Sequence, residues 1–127
     1  MSNQRIAAAS SGTAFTNYGA ATNASVVAAP AMLRSICCTN ISASLVYLQV
    51  FNLATGPAED SSVPLFSWAV PAGTSTQPGI RAVGADELGA AGYYFSTGLA
   101  WGISVDADNW DSTGITASNH TINGIRV

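Results

Sequence analysis

Asp106, Asp108, Asn109 and Asp111 fall within six positions, and carboxylates and amides clustered in a loop supply the oxygen ligands that calcium takes. The EF-hand spacing fails, because Trp110 occupies the fifth position from Asp106 and no glutamate closes the loop. The segment therefore reads as a solvated acidic turn. His120, the only histidine, could act as a general base if the fold brought a nucleophile and an orienting carboxylate beside it. Serines are abundant, yet no Gly-x-Ser-x-Gly elbow selects one, and His120 reads as a surface residue ahead of the last strand. The acidic pairs Glu59-Asp60 and Asp86-Glu87 are too close in sequence to oppose each other as glycosidase carboxylates. Sugar hydrolysis would need a pairing across loops. No catalytic residue, metal or cofactor is expected, and the chain reads as non-enzymatic.

Binding chemistry is easier to place. Trp68 shares its parity with Phe66 and Val70, and Trp101 lies on the large-residue face of its strand, so both are expected in the core. Trp110, in the acidic loop, is the tryptophan expected to touch a partner or stack on a sugar, since aromatic residues are enriched at interfaces. The four basic residues are all arginine, at Arg5, Arg34, Arg81 and Arg126. A guanidinium can anchor an interface through fixed multidentate hydrogen bonds, and intrachain ion pairs with the seven acidic residues are the equal alternative. Arg5, Phe15 and Tyr18 are candidate contacts in an N-terminal segment otherwise dominated by Ala, Ser, Thr, Asn and Gly. Such a segment gains stability mainly by packing on another chain.

These residues must be positioned by strands. From Leu99 to Val105, large residues at 99, 101, 103 and 105 alternate with small ones, which predicts a strand packed hard on one face. Its small face, Ala100, Gly102 and Ser104, is expected to let another backbone approach closely, with Gly102 as the point of contact. Further strands are expected at 32–41, 44–53, 63–70, 80–83, 92–96 and 121–127, bounded by Gly, Pro, Asn and Asp. The first two of these suggest a hairpin across a short polar stretch. Residues 85–91 support no more than a helical turn. The pattern predicts an all-β chain, a single antiparallel β-sandwich or jelly-roll-like domain over 31–127 with an extended N-terminal arm or loosely paired strands over 1–30.

Composition narrows the partners. At 127 residues the chain fits one domain able to fold without metals or disulfides. Charged residues make up only 9%, so the surface must be coated with neutral hydroxyls and amides suited to being covered by neighbours. A net charge of −3 without clustered cations argues against direct nucleic-acid binding. No stretch approaches the ~20 apolar residues of a membrane span, and no basic start with an apolar h-region is present, so synthesis in the cytoplasm is expected. Cys37 and Cys38 are adjacent, would face opposite sides of a strand, and are expected to be free thiols.

The run Leu45-Val-Tyr-Leu-Gln-Val-Phe-Asn-Leu-Ala-Thr-Gly-Pro, followed by Val63-Pro-Leu-Phe-Ser, Val70-Pro-Ala-Gly and Gly92-Tyr-Tyr-Phe-Ser-Thr-Gly-Leu, resembles small structural proteins of tailed bacteriophages. The resemblance covers roughly residues 45 to 105. It implies a virion component, foremost a head decoration or cement protein on the capsid surface, made in the host cytoplasm. Its implied partners are the major capsid protein or other virion proteins, and further copies of itself in a homo-oligomer. A tail, collar or fibre-associated position is the alternative within that class, and a carbohydrate-binding β-sandwich module is the alternative outside it.

Overall fold

The computed structural model describes residues 13–18 and 25–127, which form nine strands. In chain order they are β1 (Thr13–Tyr18), β2 (Ser25–Val27), β3 (Ala31–Asn40), β4 (Val46–Phe51), β5 (Phe66–Val70), β6 (Gly79–Val83), β7 (Tyr93–Phe95), β8 (Leu99–Ser104) and β9 (His120–Arg126). A single helical turn, α1 (Ala85–Leu88), separates β6 from β7, and a 3-10 turn at Ala117–Asn119 precedes β9.

The pairing is nested. β1 pairs with β9, β2 with β8, β3 with both β6 and β7, and β4 with β5, all antiparallel. This describes one long antiparallel ribbon with β4 and β5 at its tip. The ribbon is rolled up so that β9 also pairs with β3, and β8 with β4. β6 lies along Ile36–Asn40 and β7 along Ala31–Leu33, so the two share one edge of β3 and act as a single strand position. The resulting sheets, β1-β9-β3-β6 and β2-β8-β4-β5, have the strand order of a jelly roll. The expected all-β sandwich is the architecture observed.

One connection differs from the sequence expectation. β3 and β4 form no hairpin, because residues 41–45 carry the chain from one sheet to the other. Asn40, fully buried, holds that crossing together: its Nδ2 donates to the Ser44 carbonyl at 2.9 Å and the Pro71 carbonyl at 3.1 Å, and its Oδ1 accepts from the Ser42 amide at 2.9 Å. A short polar spacer serves a hairpin and a sheet crossing equally well, so spacing alone could not separate them. Within the N-terminal segment, β1 and β2 join one sheet each, β1 as the edge of the first and β2 as the edge of the second. Phe15 and Tyr18 lie in β1 in register with Gly124 and Thr121, whereas Arg5 lies outside the described residues.

The core forms between the sheets from the expected parities. Leu33, Ile36, Cys38 and Ile122 of the first sheet meet Leu48, Val50, Trp68, Leu99, Trp101 and Ile103 of the second. At one lateral margin Phe66 stacks on Trp68 with centroids 5.1 Å apart and meets Tyr93 edge-on at 4.9 Å, joining β5 to β7. Aromatic contacts of this kind add to burial and fix the distance between the sheets.

Adjacent residues of β3 alternate in burial, so Cys38 is fully buried while Cys37 is half-buried on the outer face, and both thiols are free. Burial, reinforced by Cys37, pushes the Cys38 thiol up to about 12. Cys38 therefore stays a protonated thiol at pH 8, and thiolate chemistry there is negligible. A disulfide reagent at that pH is expected to modify at most one thiol per folded chain, at Cys37, and two after denaturation. Mass spectrometry of the labelled peptides reads the outcome, and equal labelling of both in the folded chain would contradict this burial.

Candidate functional site

β8 departs from the expected half-buried strand: all six of its residues are buried. Leu99, Trp101 and Ile103 belong to the main core, while the small face is covered by the chain's own loop after β8. Two polar side chains hold that loop down. Ser104 Oγ accepts from the amides of Asp106 at 3.1 Å and Asp111 at 3.0 Å, and faces the carbonyls of Asp106 and Asn109 at 2.9 Å. Gln49, fully buried and in register with Gly102, donates through Nε2 to the Asp106 carbonyl at 2.7 Å and lies within reach of the Ser67 hydroxyl. Gly102 thus belongs to a face already covered within one chain.

Trp110 is drawn in with the loop. The residue is 2% exposed, and its ring meets Phe51 edge-on with centroids 5.8 Å apart, against Ala100 and Leu53. The expectation of a surface contact at Trp110 is therefore corrected. Acidic neighbours suggested an exposed ring, but the hydrogen bonds to Ser104 and Gln49 let backbone and carboxylates stay outside while the indole turns inward. All three tryptophans are buried, which leaves no tryptophan platform for a sugar.

The acidic residues regroup across loops. Asp106 closes its own turn, accepting from the Asp108 amide at 2.8 Å. Asp111 instead lies beside Glu59 and Asp60, with one ligand atom from each within 4.8 Å of the others. The loops meet because the Asp60 amide donates to the Trp110 carbonyl at 2.7 Å and the Trp110 amide to the Ser62 carbonyl at 2.9 Å. Oxygen ligands of this kind suit a hard cation. Glu59 already accepts from the amide and hydroxyl of Ser112, so the group also works as a clasp between loops. Hydrogen bonds from Thr113 hold the Asp111 carboxyl below its usual range, the opposite of what a general acid in glycoside hydrolysis requires. Of the other acidic pair, Glu87 in α1 forms an ion pair with Arg81 at 3.8 Å.

His120 is buried, 3% exposed, rather than on the surface as expected. It starts β9 in register with Asn40, and its Nδ1 lies 3.1 Å from the Thr116 carbonyl. No carboxylate orients it among the described residues, so the arrangement is not a catalytic triad. Burial holds the imidazole below its ordinary 6.5, with the Thr116 hydrogen bond acting in the other direction. An unfolded chain then binds a proton that the folded chain refuses. Stability carried by the neutral ring is complete above 6.5 and falls as pH is lowered, until the buried ring itself protonates. Urea unfolding between about pH 7 and 5 is expected to show a decline of at most about 1.4 kcal/mol per pH unit, flattened in His120→Gln. A slope unchanged by that substitution would assign the decline elsewhere.

The two outer faces of the sandwich differ. The four-stranded sheet is roofed by the loop after β8, but the other sheet presents Ile80 and Ala82 of β6, Ser35, Cys37 and Thr39 of β3, and Thr121, Asn123 and Ile125 of β9 at outward register positions. None of these eight is charged. Ile80 is 56% and Ile125 40% exposed, separated by hydroxyls and an amide. Compared with known protein families, curated proteins and solved structures, the chain has no match. The candidate site thus rests on chemistry alone, and it is a neutral sheet face with a small uncharged cleft of mixed polar and aliphatic lining at one end of the sandwich.

Proposed function

We propose that this chain is a non-enzymatic structural protein of a virion, foremost a decoration protein that binds the outer capsid surface and stabilises the shell. The observation that carries the proposal is the face of β6, β3 and β9, uncharged at all eight of these outward positions. A flat face of hydroxyls, an amide and two isoleucines can be covered without stranding an ion, and it carries little charge that resists burial. Jelly rolls are a recurrent architecture of viral capsid proteins, which supports the reading by analogy of fold. The resemblance of residues 45 to 105 to phage structural proteins points the same way. Attachment would draw its strength from copy number, with many modest contacts repeated by the symmetry of the shell.

The contacts would be with the major capsid protein and with further copies of this chain. Purified particles should contain the chain in fixed stoichiometry, and a particle reconstruction should place its β6-β3-β9 face against coat subunits. Asn123→Arg and Ile125→Glu, both at exposed outward positions, should leave the unfolding midpoint unchanged and abolish incorporation. Absence of the chain from intact particles would sink the proposal, and density at a tail, collar or fibre would relocate it. Saturable glycan binding by that same face would favour the carbohydrate module instead.

A further inference from the structure

At the end of the sandwich where residues 41–45 meet the segment leading into β9 lies a cleft of about 120 Å³. His120 forms part of its wall together with Ser42, Ser44 and Asn119, and with the aliphatic Val46, Val105 and Ile115. Among the described residues, His120 Nε2 is buried without a hydrogen-bond partner. Native proteins rarely leave a buried acceptor without a water or ligand, because its lost hydration is then not made good.

The chemistry of the missing partner follows from the other ring nitrogen. The Thr116 carbonyl can only accept, so Nδ1 carries the proton and Nε2 is a bare lone pair. Nε2 therefore calls for a donor. An anion has nothing to offer it. A cation would find no carboxylate in the wall, and a transition metal would find one nitrogen among hydroxyls and an amide, too few ligands to be held. One water would satisfy Nε2, but the cleft, at about 120 Å³, has room for more than one water. Walls that alternate aliphatic and hydroxyl surface, with no charge, match a molecule that has C–H faces and O–H edges.

We propose that this cleft binds a small neutral hydroxylated molecule, a free monosaccharide or the terminal sugar of a glycan, with one hydroxyl donating to His120 Nε2. The site is separate from the β6-β3-β9 face and does not depend on the virion reading. Ligand binding replaces the missing donor at Nε2, while Val46, Val105 and Ile115 cover the sugar's carbon face. Protonation of His120 removes the acceptor, so affinity falls in acid.

Because His120 is the only histidine, its imidazole nitrogens give an unambiguous NMR signal in the whole chain. Glucose, galactose and N-acetylglucosamine are titrated separately, followed by oligosaccharides ending in the same sugars. The expected result is a saturable shift of the Nε2 resonance by at least one of these sugars. A dissociation constant on the order of 1 mM for the free sugar identifies a monosaccharide site, whereas tenfold or tighter binding of the oligosaccharide identifies a glycan end. Val105→Trp, at a position 43% exposed on the rim, plugs the cleft and keeps the reporter, so it should abolish the shift. Ser44→Trp serves the same purpose if that variant fails to fold. No saturable shift with any of these sugars, or a shift that survives a plug in a folded variant, would overturn the proposal and leave the cleft to ordered water.

Discussion

Trp110→Ala is expected to lower the free energy of unfolding by about 3–5 kcal/mol, a large share of the 5–15 kcal/mol typical of a domain. The indole occupies the space between Phe51, Ala100 and Leu53, and removing it leaves a cavity roofed by a loop rather than by a rigid sheet. The loop can sag inward and recover part of the loss, but Ser104 and Gln49 tether its backbone on both sides of the gap. Relaxation should therefore be incomplete. Urea unfolding followed by far-UV circular dichroism measures the midpoint, and limited proteolysis should show new cleavage within residues 105–112. A ring serving as an exposed contact would behave in the opposite way, leaving the midpoint unchanged on truncation while a partner affinity fell.

Trp110 also shows why part of the molecule was hidden from a reading of the sequence. The parity of Leu99, Trp101 and Ile103 was legible because a strand's two faces differ every second residue, and that rule is local. The opposite facing of Cys37 and Cys38 followed from the same rule. What covers the small face of β8 depends instead on Gln49 reaching the Asp106 carbonyl, 57 residues away, and polar residues carry no hydrophobic signature that announces such a contact. The acidic loop consequently looked solvated, although its one large apolar side chain is anchored in a secondary core. His120 was misplaced for the same reason: the residue in register with it, Asn40, is 80 positions distant. Glu59 and Asp60 reach Asp111 only through two backbone hydrogen bonds between loops. Strand faces follow from a period in the sequence, but the candidate sites here arise where loops distant in sequence close on each other.

The second large effect is expected at one such closure. Gly79→Ala should cost more than about 3 kcal/mol, beyond the usual range for overpacking, because the obstruction is backbone. A Cβ at Gly79 would collide with the Pro71 carbonyl oxygen and lie 3.0 Å from the Ala72 carbonyl oxygen. The Pro71 carbonyl cannot swing away freely, since Asn40 Nδ2 donates to it at 3.1 Å. Movement on the far side is restricted as well, because the facing Gly73 leaves no room either: a Cβ there would collide with the Gly79 amide and crowd the Asn40 carbonyl. Relief therefore requires breaking the Asn40 cluster, which also sets Ser42 and Ser44 at the wall of the His120 cleft. Two readouts should move together in Gly79→Ala, the urea midpoint and the His120 imidazole resonance. Gly56→Ala is the control, since a Cβ there meets nothing within 4 Å, and its midpoint should stay within about 0.5 kcal/mol of the parent. A tolerated Gly79→Ala would mean that the 71–78 connection moves independently of Asn40, and with it would go the rigidity on which the shape of the cleft depends.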